Sequence, residues 1–163
     1  MPMLVHLTNE DETGSIRRSG IRIGKFRDGV YAMPVLENFV VSNQWLRELK
    51  RGATGSRTLS AVHFRIPDTE IVLMGHYSQE HVEVTAAEAA GAIMHAEDPL
   101  GMEIIIPRPI SPKEIHKIRG VPQVVGWRYF PGANGRKVCG CPACLPPGTY
   151  KSRVLRQRYD NGA

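Results

Sequence analysis

A chain of 163 residues with 42% hydrophobic and 23% charged residues has the composition of an ordinary globular domain. It is long enough to bury a core without disulfide or metal staples. No apolar run approaches the ~20 residues of a membrane-spanning helix, and Glu10, Asp11 and Glu12 break any basic-then-apolar leader pattern, so a soluble, cytoplasmic protein is expected. The net charge of +5 is unevenly spread: residues 66–107 hold eight acids and no Lys or Arg, and residues 136–158 hold six basic residues and no acid. A basic end meets phosphate by releasing counterions, and it equally serves as a solvated tail.

Met3–Leu7 reads as an apolar strand running into His6-Leu7-Thr8. A helix is expected next, with acids 10–12 at its positive end, Arg17 and Arg18 at its negative end and Gly20 as the stop. Ile21–Ile23 is a short extended piece and Lys25–Gly29 a polar turn. Val30–Met33 is a strand closed by Pro34, and Leu36–Lys50 reads as one helix stopped by Gly52. Ala53–Thr58 is a loop. Ala61–Ile66 alternates, with Val62, Phe64 and Ile66 on one face and His63 and Arg65 on the other. Ile71–Met74 is a further strand. Thr85-Ala-Ala-Glu88 is a capping box opening a helix to about His95. Met102–Ile106 is a β-branched strand stopped by Pro107, Pro109 and Pro112, and Ser111-Pro112-Lys113-Glu114 is a second capping box, from which a helix toward Ile118 is expected. Gln123–Phe130 is a last strand, and Pro131–Gly135 a turn before the basic segment Lys151–Arg158. Strands and helices mix without regular βαβ alternation, so the class is α+β.

Three polar residues stand in or at the ends of these strands: His6, Tyr31 and Glu103. A carboxylate in an apolar strand costs free energy unless it is paired or lines a cleft. Each residue has a plain alternative: a satisfied core histidine, a packed strand tyrosine, a solvent-facing strand-end glutamate.

The ordered set of His-x-Thr after the first strand, Ser19-Gly20-Ile21 closing the helix, Gly29-Val30-Tyr31-Ala32, and Glu103-Ile-Ile-Ile-Pro107 leading into Pro109-Ile-Ser-Pro-Lys-Glu-Ile115 resembles the ADP-ribosyltransferases of the His-Tyr-Glu type. It is most similar to DarT-like bacterial toxins, over about Leu4 to Phe130. The resemblance implies a split β-sandwich of two small sheets with flanking helices around a NAD cleft. It implies that His6 binds the adenosine-side ribose of NAD with support from Thr8, and that the backbone near Leu7 holds the nicotinamide amide. Tyr31 would stack on the nicotinamide ring. Glu103 would bind the nicotinamide ribose and stabilise the positive charge that develops as nicotinamide leaves, a role suited to a fixed carboxylate beside an oxocarbenium-like centre. Arg17, Arg18 and Arg22 are candidate partners of the pyrophosphate. Gly101 stands where many protein-modifying members carry Glu or Gln, which leaves the acceptor open. Nucleic acid is preferred over protein, the resemblance suggests a bacterial toxin or defence factor, and whether an antitoxin is paired with it stays open.

Cys139-Gly-Cys141-Pro-Ala-Cys144 contains C-x2-C zinc-ligand spacing. A fourth zinc ligand would come from His116, His63, another histidine or a second chain. The alternative is three reduced thiols on a turn, and the absence of an apparent fourth ligand favours it. The expected organisation is a catalytic domain over 1–130 and a cysteine knuckle with a basic segment over 131–163. The competing function is a non-catalytic nucleic-acid-binding module that uses the basic tail and the knuckle.

Overall fold

The computed structural model describes residues 1–52 and 58–123, together with Gln157 and Asn161. Chain contacts separate Met1–Trp127 from Arg128–Ala163. The expected strand Gln123–Phe130 beyond Gln123, the cysteine cluster and the basic segment, Gln157 apart, lie outside the described residues.

Among the described residues seven strands form one sheet in the order β5-β4-β6-β2-β1-β3-β7, and neighbouring strands are antiparallel throughout. They are β1 (Met3–Asn9), β2 (Val30–Pro34), β3 (Leu59–Arg65), β4 (Ile71–His76), β5 (Val82–Thr85), β6 (Met102–Ile106) and β7 (Ile115–Gly120). Between Met1 and Gln123 the described helices are α1 (Thr13–Ser19), α2 (Phe39–Ser42), α3 (Leu46–Gly52) and α4 (Ala86–His95), with single 3-10 turns at Glu10–Glu12 and Pro112–Glu114. The architecture is a mixed α+β fold.

The sheet has a seam. β2 pairs with β6 through Val30–Ala32 and with β1 only through Met33 and Pro34. It therefore changes neighbour halfway along its length. β1, in contrast, pairs with β3 along all of Met3–Asn9. Two half-sheets, β5-β4-β6-β2 and β1-β3-β7, meet at that short junction.

β3 is interior to the sheet, and the expected alternation along it does not divide inside from outside. Leu59 through Phe64 are all buried, His63 included, and only Arg65 is exposed. Leu4, Val62, Phe64, Val72, Ile104 and Ile106 are fully buried in one core cluster. α4 packs along β2, β4 and β5 and adds Ala86, Ala89 and Ile93 to that cluster. Its capping box forms as expected: Glu88 N–H donates to Thr85 Oγ1 (3.3 Å) and Thr85 N–H to Glu88 Oε2 (2.9 Å).

Two expected helices are corrected. Leu36–Lys50 is not one helix. Asn38 Oδ1 caps α2 by accepting from Val40 and Val41 N–H, and the chain leaves α2 after Ser42 so that Gln44 can turn into the core. There the Gln44 Nε2 donates to Pro99 O (3.0 Å), and its Oε1 accepts from Gly101 N–H (2.7 Å). The segment after Ser111 makes one 3-10 turn and then becomes β7. Glu114 is held by Ser111 N–H and by both terminal nitrogens of Arg108. Beyond it, pairing Ile115–Gly120 with β3 satisfies the outer backbone groups of a buried strand, which a helix would leave unpaired. β5 was not anticipated. It forms a hairpin with β4 in which Ile71, Val72, Leu73 and Met74 oppose Thr85, Val84, Glu83 and Val82.

Candidate functional site

β6, β2 and β1 are consecutive in the sheet, and they carry Glu103, Tyr31 and His6 respectively. Tyr31 opposes Ile105 across β2/β6. Glu103 is two residues from Ile105, so Tyr31 and Glu103 project from the same face. His6 is tied to Tyr31 directly, with its Nδ1 2.7 Å from the Tyr31 carbonyl oxygen. A carbonyl only accepts, so Nδ1 carries the proton, and in the neutral ring Nε2 is left as an acceptor. Burial holds His6 below the usual imidazole range, against the opposing pull of the Tyr31 carbonyl and of Glu12, which favours that neutral form.

Glu103 is 13% exposed and receives His81 Nε2 at 3.0 Å on Oε1. Burial pushes its carboxyl above the usual range, and His81 and Arg27 pull it back. Burial, Glu103 and Asp28 raise the Tyr31 phenol, so it stays neutral at physiological pH. The Arg27 guanidinium carbon lies 5.2 Å from the Tyr31 ring centroid, a cation–π stack. Arg27 therefore acts on His6, Tyr31 and Glu103 together.

The other residues singled out in the sequence lie as follows. Thr8 is buried, and its hydroxyl donates to Glu12 Oε2 (2.5 Å), fixing the turn after β1. Leu7 is partly buried and packs on the core. Arg17 and Arg18 are exposed in the last turn of α1, and Arg22 is exposed just past Ile21, whose backbone bridges to Ile110. Among the described residues, none of these three arginines makes a hydrogen bond or ion pair. His63 is buried on β3 and His116 is exposed on β7. Cys139, Cys141 and Cys144 lie outside the described residues, and among the described residues no group of three or more metal-binding side chains comes together.

Arg27 and His81 were not singled out from the sequence. Arg27 sits in a polar turn that gave no sign of folding back over β2. The signal for His81 was the alternation His81-Val82-Glu83-Val84-Thr85 facing the Ile71–Gly75 run, which is the pattern of a hairpin. No family model and no curated protein matches the chain.

Proposed function

We propose that the chain is a NAD-dependent ADP-ribosyltransferase acting on a macromolecular acceptor, with nucleic acid preferred to protein. The observation that supports this reading is that His6, Tyr31 and Glu103, remote in sequence, stand on three consecutive strands where β2 changes partner, with Tyr31 and Glu103 on one face and His6 bonded to the Tyr31 carbonyl. The seam there is compatible with a sheet split around a cleft. The donor set suits NAD. Tyr31 offers a flat ring for nicotinamide, His6 Nε2 is free to accept from a ribose hydroxyl, and Glu103 lies on the face of Tyr31 with one oxygen already anchored. Cleavage of the bond between ribose C1′ and the nicotinamide nitrogen builds positive charge on the sugar. A half-buried carboxylate stabilises that charge more strongly than an exposed one, because the local dielectric is low. Arg27 joins Arg17, Arg18 and Arg22 as a candidate for the pyrophosphate. The cationic stretch 136–158 is the candidate phosphate-binding element for the acceptor, and zinc on the cysteine knuckle remains part of the proposal. No described helix is long and apolar enough to cross a membrane.

The test is nicotinamide release from labelled NAD, alone and with single-stranded DNA, RNA or cell extract. Wild type releases nicotinamide and labels one fraction. Glu103→Gln loses at least about a hundredfold in rate while its thermal unfolding at pH 7 is unchanged or raised, since a desolvated carboxylate has been removed. Full activity in Glu103→Gln would sink the assignment.

A further inference from the structure

Glu103 and His81 do not sit on neighbouring strands. β4 runs between them, and Gly75 of β4 is the residue paired with Glu103. On the other side of β4, Val82 pairs with Met74, which places His81 next in register, opposite Gly75. Glu103 on β6, Gly75 on β4 and His81, the residue leading into β5, thus line up in one row on one face of the sheet. Strands spaced about 4.8 Å apart put the outer two backbones roughly 10 Å apart. The two side chains close that gap because the middle residue has none. A Cβ on Gly75 would stand 3.2 Å from both Cα and Cγ of His81 and 3.3 Å from the Glu80 carbonyl oxygen, closer than ordinary van der Waals contact, so the imidazole would have to give way. The His81–Glu103 contact is 3.0 Å, with the two side chains 16% and 13% exposed.

We infer that His81 is the positioning residue of Glu103: its imidazole crosses the slot left by Gly75 and anchors Oε1, so that Oε2 is aimed at the reacting sugar. The catalytic part of this inference rests on the transferase reading, whereas the pairing does not. A free glutamate has three rotatable bonds and samples several rotamers. Anchoring one oxygen selects one of them before substrate arrives, so less orientation entropy remains to be lost at the transition state. His81 also favours the ionised carboxylate against burial. The charged and titratable groups facing the pair are Arg27 and Tyr31 toward Glu103, and His76 toward His81. His81 does not touch NAD in this arrangement. Its effect falls on the turnover rate rather than on affinity for the dinucleotide.

Two variants test this, each first checked for an intact thermal transition. His81→Gln removes the imidazole, and Gly75→Val keeps it but wedges the slot. Carbon-13 labelling of the glutamate carboxyl groups follows Glu103 directly. Its titration midpoint moves to higher pH in both variants, and nicotinamide release at pH 7 drops about ten- to hundredfold through kcat with KM for NAD little changed. The acid limb of the kcat profile moves to higher pH with the carboxyl. The combined variant loses little more than either single one, because both break one contact. A Glu103 midpoint and acid limb identical to wild type in both variants overturn the inference. If wild-type protein releases no nicotinamide under any condition, the transferase reading falls, and the carboxyl titration alone decides the pairing.

Discussion

His63 shows how much a single buried ring can govern. It is 3% exposed on β3, and its Nδ1 finds no hydrogen-bond partner among the described residues. Burial and the cations Arg119 and Lys117, with His116 beside them, push its pKa down from 6.5 to about 4. The folded state therefore holds His63 neutral, whereas the unfolded chain protonates it near 6.5. Between those two values the unfolded state binds more protons. Stability is full above pH 6.5 and declines as pH falls toward 4, where the folded ring finally titrates. The loss amounts to about 2 kcal/mol, less than the bare shift implies because solvent screens the charges of β7. Unfolding temperatures measured from pH 7 to 4 should fall for wild type and fall less for His63→Leu. Equal slopes would show that other groups set the acid limit. By alternation His63 shares a face with Arg65, opposite Val62, Phe64 and Ile66. What alternation could not reveal is that β3 is interior to the sheet, where both faces are covered. A fold-back that leaves no local pattern likewise hid Arg27, whereas His81 heads an alternating run that marks the β4–β5 hairpin.

Among the elements, the break between α2 and α3 is where tertiary demand overrides local preference. The run from Leu36 to Lys50 has helical periodicity, yet residue 44 is spent on a different task. Gln44 is fully buried, accepts from Gly101 N–H and donates to Pro99 O, and so fixes the entry to β6 two residues before Glu103. Gly101 itself has φ 85, in the left-handed region, and a side chain there would run into the His76 ring. Gln44→Leu would leave the Gly101 N–H and the Pro99 carbonyl without this partner, at a cost of roughly 2–4 kcal/mol. It should also lower nicotinamide release beyond what reduced folding explains, because the Glu103 strand loses its anchor. Denaturant titration and turnover at a permissive temperature separate the two effects, and a loss under 1 kcal/mol would show that water replaces the amide. β6 was legible residue for residue, because its β-branched run is bounded by glycine on one side and proline on the other. β7 was misread because the capping signal at Ser111–Glu114 is real but serves one 3-10 turn. Nothing local tells the chain beyond Glu114 that an unpaired edge of β3 awaits it.

At the scale of the whole sheet, the seam between β1 and β2 is the place where the molecule should open. β1 is secured to β3 by seven residue pairs and to β2 by two. Beyond Val5 the described contact across the seam includes the His6 imidazole on the Tyr31 carbonyl. Backbone hydrogen bonds facing a short junction are freed by small local openings, while those in a long ladder are released only with larger ones. In native-state hydrogen exchange, amides of β1 between His6 and Asn9 that point toward β2 should exchange faster than their alternates bonded to β3. His6→Ala should accelerate that exchange further and lower global stability by about 1–3 kcal/mol, since it strands a carbonyl. The reading of His6 as a substrate ligand and its reading as a bond across the seam then separate cleanly. A ligand role alone predicts lost affinity for NAD with unchanged exchange at Tyr31 and its neighbours. A seam role alone predicts faster exchange with unchanged affinity in the folded fraction. The Nδ1 bond to Tyr31 together with the unused Nε2 acceptor predicts both at once, and uniform protection along β1 in the variant would remove the structural half of that account.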